Sequence, residues 1–302
     1  MTIEDAIIAL KPYQPEPPQK ALMFIRNNWN EAEPVLLAEI DRCLADPVLA
    51  EPSALFFYSL YLCAEMRCKA AFERYMEICR LQDLLRDYLI GDVLTEALSQ
   101  MLALTCVNLI DELKALVEDD AAYELVRSTG LDALHDLVVI DVHPQKELSR
   151  YCIDLLAERL EKRPTYIWDV AISLAEKLRL VETLPLIETA YRCGWANPGL
   201  QSFESVRDGM AQVLTAAELS DWREKAEGFK TEREMDFFVR NWSKGHSKAE
   251  EYSAHLLQEA RGQIQHSQRS AGSKVKIGRN TLCPCGSGKK YKNAASIKKI
   301  LL

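Results

Sequence analysis

Apolar residues recur at every third or fourth position through most of residues 1–262, which is the period of an amphipathic α-helix. The segment 31–45 places apolar side chains on one side, at Leu36, Leu37, Ile40, Cys43 and Leu44. The segment 69–80 does the same with Phe72, Tyr75, Met76 and Cys79. Residues 53–66 are nearly all apolar, so we expect a central buried helix there.

Two stretches of the chain repeat one arrangement. Residues 63–80 and 174–194 each carry Ala-Glu near the end of a first helix, followed by a basic link and a second amphipathic helix. Residues 109–139 predict another pair, in which the small residues Ser128 and Gly130 would let two helices approach closely. Helix pairs that cannot bury their apolar faces alone must stack on their neighbours.

We therefore predict an all-α fold of stacked helix pairs forming a HEAT-like α-solenoid. Because the period is irregular, a non-repetitive α-helical bundle is the alternative. Thr215 followed by Glu218 has the spacing of a capping box and predicts the start of a late helix. The run "LVVIDVH" at 137–143 fits a short strand or, as we prefer, the end of a helix.

The composition divides the chain into three parts. Residues 1–262 form the predicted helical body, and 48% of the whole chain is hydrophobic, as in an ordinary globular protein. Residues 263–277 are rich in Ser, Gly and bases and predict a flexible linker. Residues 278–302 form a short basic tail.

Net charge separates the body from the tail. The chain carries −8, but residues 272–302 hold eight bases and no acid, which leaves −16 for residues 1–271. Such a tail is suited to an anionic partner such as RNA, a ribosome, anionic lipid or an acidic protein, and a tail that is merely soluble is the alternative.

Two further patterns bear on the cellular compartment. No apolar run reaches the roughly 18 residues of a membrane helix, and the N-terminus lacks a signal-peptide pattern, so we expect a cytoplasmic protein. Seven of the nine cysteines lie mostly in apolar helical patterns, where reduced thiols behave as small core residues.

The tail contains half of a metal site in "CPCGSGKKYKN". Cys283 and Cys285 are close enough to bind one ion together, and the adjacent Lys289 and Lys290 would favour their thiolates. A structural zinc requires four ligands in a tetrahedron. The stretch is not a nucleotide-binding loop, because that motif has Gly six residues before its Lys and a Ser or Thr directly after it.

From Gly278 to Lys292, this stretch resembles the SEC-C motif, the zinc knuckle that ends the preprotein translocase ATPase. The resemblance implies a third and a fourth ligand at positions 294 and 295, which are Ala294 and Ala295 here. We therefore expect no tightly bound cofactor, and Zn²⁺ only if the tail finds further ligands. A degenerate knuckle, a truncated or frame-altered end, and a deliberate replacement would each explain the alanines.

The body is similar to an uncharacterised bacterial family of α-helical proteins whose members often end in a SEC-C knuckle. The resemblance rests on the order of the segments 56–78, 91–98 and 116–134. It implies helices like those of HEAT repeats but names no reaction. The knuckle implies docking to a chaperone, a membrane or a ribosome surface.

The sequence favours an interaction protein over an enzyme. It contains none of the common hydrolase, metalloprotease or dinucleotide-binding motifs, and the five histidines show no ligand spacing. We interpret His135 as a surface or satisfied core histidine, and we predict no catalytic residue. We expect a non-enzymatic scaffold that binds a protein partner, with Lys289, Lys290 and Lys292 contributing to docking. A hydrolase or lyase with a site between helices is the alternative.

Overall fold

The structure is a computed structural model that describes residues 1–14, 16–50, 53–233 and 235. The chain divides into two units, Met1–Ser253 and Ala254–Leu302. The second unit lies outside the described residues, together with the predicted linker and tail. The predicted site residues of the tail therefore also lie outside them, namely Cys283, Cys285, Lys289, Lys290 and Lys292.

The described part of the first unit consists of helices and contains no strand, which confirms the all-α prediction. The first eight helices are α1 (Ile3–Leu10), α2 (Gln19–Asn27), α3 (Trp29–Ala45), α4 (Pro47–Ala50), α5 (Ala54–Glu65), α6 (Ala71–Arg80), α7 (Asp83–Ile90) and α8 (Val93–Glu96). The next eight are α9 (Leu98–Thr105), α10 (Ile110–Glu118), α11 (Glu124–Val139), α12 (Gln145–Asp154), α13 (Tyr166–Lys177), α14 (Leu184–Arg192), α15 (Phe203–Met210) and α16 (Ala216–Glu227). A π-helical segment, Leu155–Arg159, extends α12.

Helix α5 is the predicted buried helix. Every residue from 54 to 64 is buried, and the helix packs against α1, α3, α6 and α9. The predicted apolar face of α6 is also buried, and α3 buries its predicted face apart from Leu37, which is half-buried. The apolar period of the sequence therefore identified the first part of the core correctly.

Helix α11 is the centre of the following part of the body. It packs against α9, α10, α13 and α16. Gly130 allows the approach of α10, because a Cβ at this position would lie 3.2 Å from the Val117 side chain and 3.4 Å from that of Leu116. The predicted close approach of helices at Gly130 is therefore confirmed, and stacking continues from α11 to α13 and from α13 to α15.

Several helices end in the same tight turn. The residue that ends the turn has a left-handed backbone in each case, with φ of 52° at Arg67, 59° at Asp141, 57° at Arg179 and 72° at Gly194. The next N–H donates to the carbonyl five residues earlier, for example from Cys68 to Cys63 at 2.8 Å and from Leu180 to Ala175 at 2.9 Å. This bond satisfies a carbonyl that the helix leaves free.

The turn occurs in both of the stretches that share one sequence arrangement. Arg67 ends the turn after α5 and Arg179 ends the turn after α13, which are the first helices of the two similar stretches. The turn at Asp141 shows that residues 137–143 are the end of a helix. Because three of the four left-handed residues are not glycine, the usual sequence signal for this turn was missing.

The C-terminal end of the described body returns to its N-terminal helices. The Glu65 side chain, at the end of α5, is only 8% exposed and accepts hydrogen bonds from Arg26 of α2 at 2.8 Å and from the Thr231 hydroxyl at 2.7 Å. Arg26 also pairs with Glu232 at 2.6 Å. We call these four residues the Glu65 clamp. In a simple solenoid each repeat contacts only its neighbours, so the clamp is a feature that the sequence pattern did not predict.

Burial by itself would raise the pKa of Glu65, but the hydrogen bonds from Arg26 and Thr231 lower it below the ordinary value of a glutamate. The carboxylate is therefore charged at neutral pH and fully engaged. Without Glu65, Arg26 would keep Glu232 as its carboxylate partner, whereas the buried Thr231 hydroxyl would lose its acceptor.

We expect the substitution Glu65→Ala to lower the free energy of unfolding by about 2 kcal/mol, because the buried Thr231 hydroxyl loses its acceptor and Arg26 loses one of its two carboxylate partners. Urea denaturation of the full chain measures this difference. The control is Glu112→Ala, which removes an exposed pair with Arg80 at 3.4 Å and should cost less than about 1 kcal/mol. Equal losses in the two variants would contradict a stabilising clamp.

Candidate functional site

A cavity of about 540 Å³ lies between α11, α13 and α16. Its volume falls within the range of roughly 300–1,000 Å³ that is common for ligand pockets. Most of its wall is apolar, formed by Val138, Val139, Leu178, Leu214, Ala216, Leu219 and Trp222. The polar side chains that line it are His135, Asp141, Gln145, Lys177, Ser220 and Arg223. We call this space the His135 cavity.

The cap of α16 sets which residues of that helix face the cavity. Thr215 Oγ1 accepts from the Glu218 N–H at 3.2 Å, and Glu218 accepts from the Thr215 N–H at 2.8 Å. The predicted capping box is therefore confirmed. Starting the helix there places positions 216, 219, 220 and 223 on one face, because residues three and four apart share a side of a helix.

His135 forms one wall of the cavity as a neutral ring. Its side chain is buried and its ring centroid lies 5.2 Å from that of Trp222, in an edge-to-face arrangement. Burial lowers the pKa of His135 to about 4, and the charge of Lys177 acts in the same direction. His135 is therefore a core histidine, which is one of the two environments that the sequence interpretation allowed.

Asp136 lies beside this wall in an unusual electrostatic environment. Burial and the nearby charge of Asp132 raise the pKa of Asp136 to about 7, although Lys177 and the Ser99 hydroxyl act in the opposite direction. Its carboxylate is 4.0 Å from His135 Nδ1. His135 and Lys177 line the cavity, whereas Asp132 and Asp136 do not.

The cations around the cavity are paired with carboxylates of the same chain. Lys177 lies 3.8 Å from Asp132, so this pair joins α13 to α11. Arg223 lies 2.6 Å from Asp141 and also donates to the Val139 carbonyl at 3.3 Å, which joins α16 to the end of α11. The cavity therefore presents apolar surface and compensated charges to whatever enters it.

The cysteines of the body have structural environments. Six of the seven are buried, and Cys193 is exposed. Burial raises the pKa of Cys79 and of Cys152 to about 12, which keeps both thiols protonated. The expectation that most of these cysteines are core residues is therefore confirmed. In the part of the chain that the structure describes, no three His, Cys, Asp or Glu side chains meet as they would around a metal ion.

Sequence reasoning did not find the His135 cavity. Its walls come from residues 135–145, 177–178 and 214–223, which are far apart in the chain and carry no motif. The only available signal was the adjacency of His135 and Asp136 on a predicted helix, and neighbouring residues on a helix do not normally face each other.

We expect Asp136→Asn to stabilise the protein more at pH 8 than at pH 5. The folded state of the wild type holds the Asp136 proton up to about pH 7, whereas the unfolded state loses it near pH 3.8, so stability falls as pH rises through this window. His135 has the opposite effect between about pH 4 and pH 6.5, but it is present in both proteins and cancels in the comparison.

Urea denaturation at the two pH values should show a difference of about 2.6 kcal/mol between the gains in unfolding free energy. The control is Asp111→Asn, whose carboxylate is 98% exposed. This variant should show no such gain. A pH-independent effect of Asp136→Asn would contradict the raised pKa of Asp136.

Similarity to other proteins locates the chain among bacterial relatives. It is 28% identical over 194 residues to a protein of Chlamydia muridarum, an alignment that covers 63% of this chain and 77% of the relative. It is 30% identical over 151 residues to a protein of Chlamydia trachomatis serovar D, with 49% and 59% covered. Both relatives are named "Uncharacterized protein". No solved structure matches the chain with significance.

Two family models match the chain in separate parts. The model of the SEC-C motif matches residues 279–293 and ends directly before Ala294 and Ala295. The model of a second family matches residues 1–232, which include every helix described above. The expected combination of a helical body and a SEC-C tail is confirmed, and the chain belongs to the family described as "Protein of unknown function (DUF1186)".

Proposed function

We propose that the protein is a non-enzymatic adaptor. Its helical body binds a protein partner, and its basic tail docks to a chaperone, a translocation component or a ribosome-associated partner. The observation that supports this proposal is the His135 cavity, whose walls are mainly apolar and whose cations are already paired. Such a surface recognises shape and apolar area.

An apolar anchor side chain of the partner fits this cavity. Leu219 is 48% exposed at its edge, and Trp222 and the neutral His135 ring provide aromatic walls. Burying one large aliphatic or aromatic side chain contributes about 1.5–3 kcal/mol. Pockets that accept a single such anchor commonly supply much of the binding energy of a protein interface.

The tail provides the second contact of the adaptor. Its SEC-C motif retains Cys283 and Cys285 but lacks the other two ligands, so the tail does not rely on tightly bound Zn²⁺ in this proposal. Lys289, Lys290 and Lys292 are then its contact residues, through attraction to an anionic surface. Among the described residues, no helix is both long and apolar enough to cross a bilayer.

One observation favours a hydrolase or lyase as the second candidate function. Burial and Asp132 raise the pKa of Asp136 to about 7, which suits a general acid or base at neutral pH. The adaptor is preferred because Asp136 does not line the cavity. Asp136→Asn separates the two functions, since it would abolish turnover by such an enzyme and leave partner binding intact.

We expect Ala216→Trp to block the anchor site, because the indole would extend into the cavity from an exposed position in its wall. A photo-crosslinking residue at position 219 of the full chain, followed by mass spectrometry of the crosslinked peptides, identifies the partner and the side chain inserted. Loss of the anchor contact should weaken binding by roughly 1.4 kcal/mol, so crosslinking should fall by about tenfold.

The matched control is Ala217→Trp, on the next exposed residue of the same helical turn, which does not line the cavity. It should leave the crosslink unchanged. The absence of any crosslink, or equal losses in the two variants, would contradict the anchor site.

We expect the triple substitution of Lys289, Lys290 and Lys292 by Gln to reduce co-sedimentation of the full chain with ribosomes at low salt. The salt dependence of the remaining binding should also weaken, because fewer counterions are released. The control replaces three exposed lysines of the body, Lys11, Lys20 and Lys69, by Gln. Equal retention of both variants and the wild type would remove the ribosome as the partner of the tail.

A further inference from the structure

A second pocket, of about 450 Å³, lies at the opposite end of α11 from the His135 cavity. It is formed by the first residue of α11, the start of α13 and the loop that follows α14. The lining residues that carry its chemistry are Glu124, Thr165, Tyr166, Asp169 and Trp195. We call it the Glu124–Asp169 pocket.

Each carboxylate of this pocket is positioned by one backbone N–H. Glu124 Oε2 accepts from the Tyr166 N–H at 2.9 Å, and Asp169 Oδ1 accepts from the Asn197 N–H at 2.7 Å. Within the described residues neither carboxylate forms an ion pair with a cation. Two fixed negative charges therefore line one pocket without a counter-charge from the described residues.

The electrostatic environment of Asp169 agrees with this geometry. Burial raises the pKa of Asp169, and the negative charge of Glu124 raises it further, whereas the Asn197 N–H acts against both. A cation entering the pocket would relieve the repulsion between the two carboxylates. This differs from the His135 cavity, where carboxylates of the same chain already compensate the cations.

Thr165 supplies an independent indication of a ligand. It lines the pocket and is only 6% exposed, yet its hydroxyl has no hydrogen-bond partner among the described residues. Thr165 precedes α13 at the N-cap position, but its side chain does not cap the helix. A buried hydroxyl without a partner costs free energy, so its retention in the pocket wall suggests a partner that comes from outside.

The aromatic walls favour an organic cation over a hydrated metal ion. Tyr166 is 38% exposed at the pocket, and the Trp195 ring lies nearby. Trp195 already has the Lys162 ammonium 5.1 Å from its ring centroid, and this lysine is not among the residues that line the pocket. Aromatic rings attract ammonium and guanidinium groups and also cover the alkyl stems that carry them.

We propose that the Glu124–Asp169 pocket binds the side chain of a lysine or arginine in a peptide. The cationic group lies between the two carboxylates and donates to the Thr165 hydroxyl, and its alkyl stem contacts Tyr166. The occupant is a basic segment of a second protein, attracted by two carboxylates that have only backbone N–H partners among the described residues. This site is independent of the adaptor function proposed for the His135 cavity.

The test uses a fluorescein-labelled peptide of sequence GKKYKN and the full chain, with binding measured by fluorescence anisotropy. The double variant Glu124→Gln/Asp169→Asn should bind at least about tenfold more weakly, because it removes both charges while keeping oxygens that accept the backbone N–H groups. The control Asp111→Asn/Glu112→Gln removes the same charge from exposed positions of α10 and should bind as the wild type does. No binding by the wild type, or equal weakening in the control, would overturn the proposal.

Thr165→Val tests whether the Thr165 hydroxyl contributes to peptide affinity or has only a structural role. Because the hydroxyl has no partner in the protein, the variant should keep or raise the melting temperature. It should nevertheless bind the peptide several-fold more weakly, because the cation loses an acceptor. Unchanged peptide affinity would remove Thr165 from the site and overturn the proposed geometry.

A third variant tests whether the occupant comes from a second protein. The full chain with Lys289, Lys290 and Lys292 replaced by Gln should bind the labelled peptide with the affinity of the wild type. Tighter binding by this variant would contradict an occupant from a second protein. Ala216→Trp should not affect either measurement, so failure of this proposal can be told from failure of the adaptor function.

Discussion

The burial of α11 is the constraint on which both candidate sites depend. Arg127 in its first half is only 1% exposed, so its guanidinium must be satisfied inside the protein. It binds both oxygens of Glu161 at 2.6 and 2.9 Å and donates to the Val117 carbonyl at 2.8 Å. This set of bonds fixes α11 against α10 and against the chain before α13. A helix held in this way presents Glu124 at its beginning and His135 at its end in defined positions.

The two sites differ in how charge is compensated, and this difference decides what each can bind. At the C-terminal end of α11, Lys177 and Arg223 are neutralised by Asp132 and Asp141, so the remaining attraction of the His135 cavity is apolar. At its N-terminal end, the carboxylates of Glu124 and Asp169 have only N–H partners among the described residues. The first site therefore suits an uncharged anchor, and the second suits a cation.

The Glu65 clamp has a different role from either site. It joins segments separated by 206 residues, so it converts a row of stacked helix pairs into a unit whose first and last described segments are in contact. Phe229 supports this contact with its ring 5.8 Å from that of Tyr61. The clamp therefore holds the residues that follow α16 against α2 and α5.

The sequence alone determined the features that depend on local periodicity and chemistry. It predicted the buried helix α5, the amphipathic α6, the capping box at Thr215 and the close packing at Gly130, because each follows from residue spacing or from side-chain size. It also identified the SEC-C motif, which the family model matches at residues 279–293. Only the tertiary structure decided the Glu65 clamp and both pockets, because their residues are separated by up to about two hundred positions and meet through packing, which leaves no periodic signal in the chain. The lowered pKa of His135, the raised pKa of Asp136 and the unpartnered Thr165 hydroxyl likewise result from burial, and burial is a property of the whole fold.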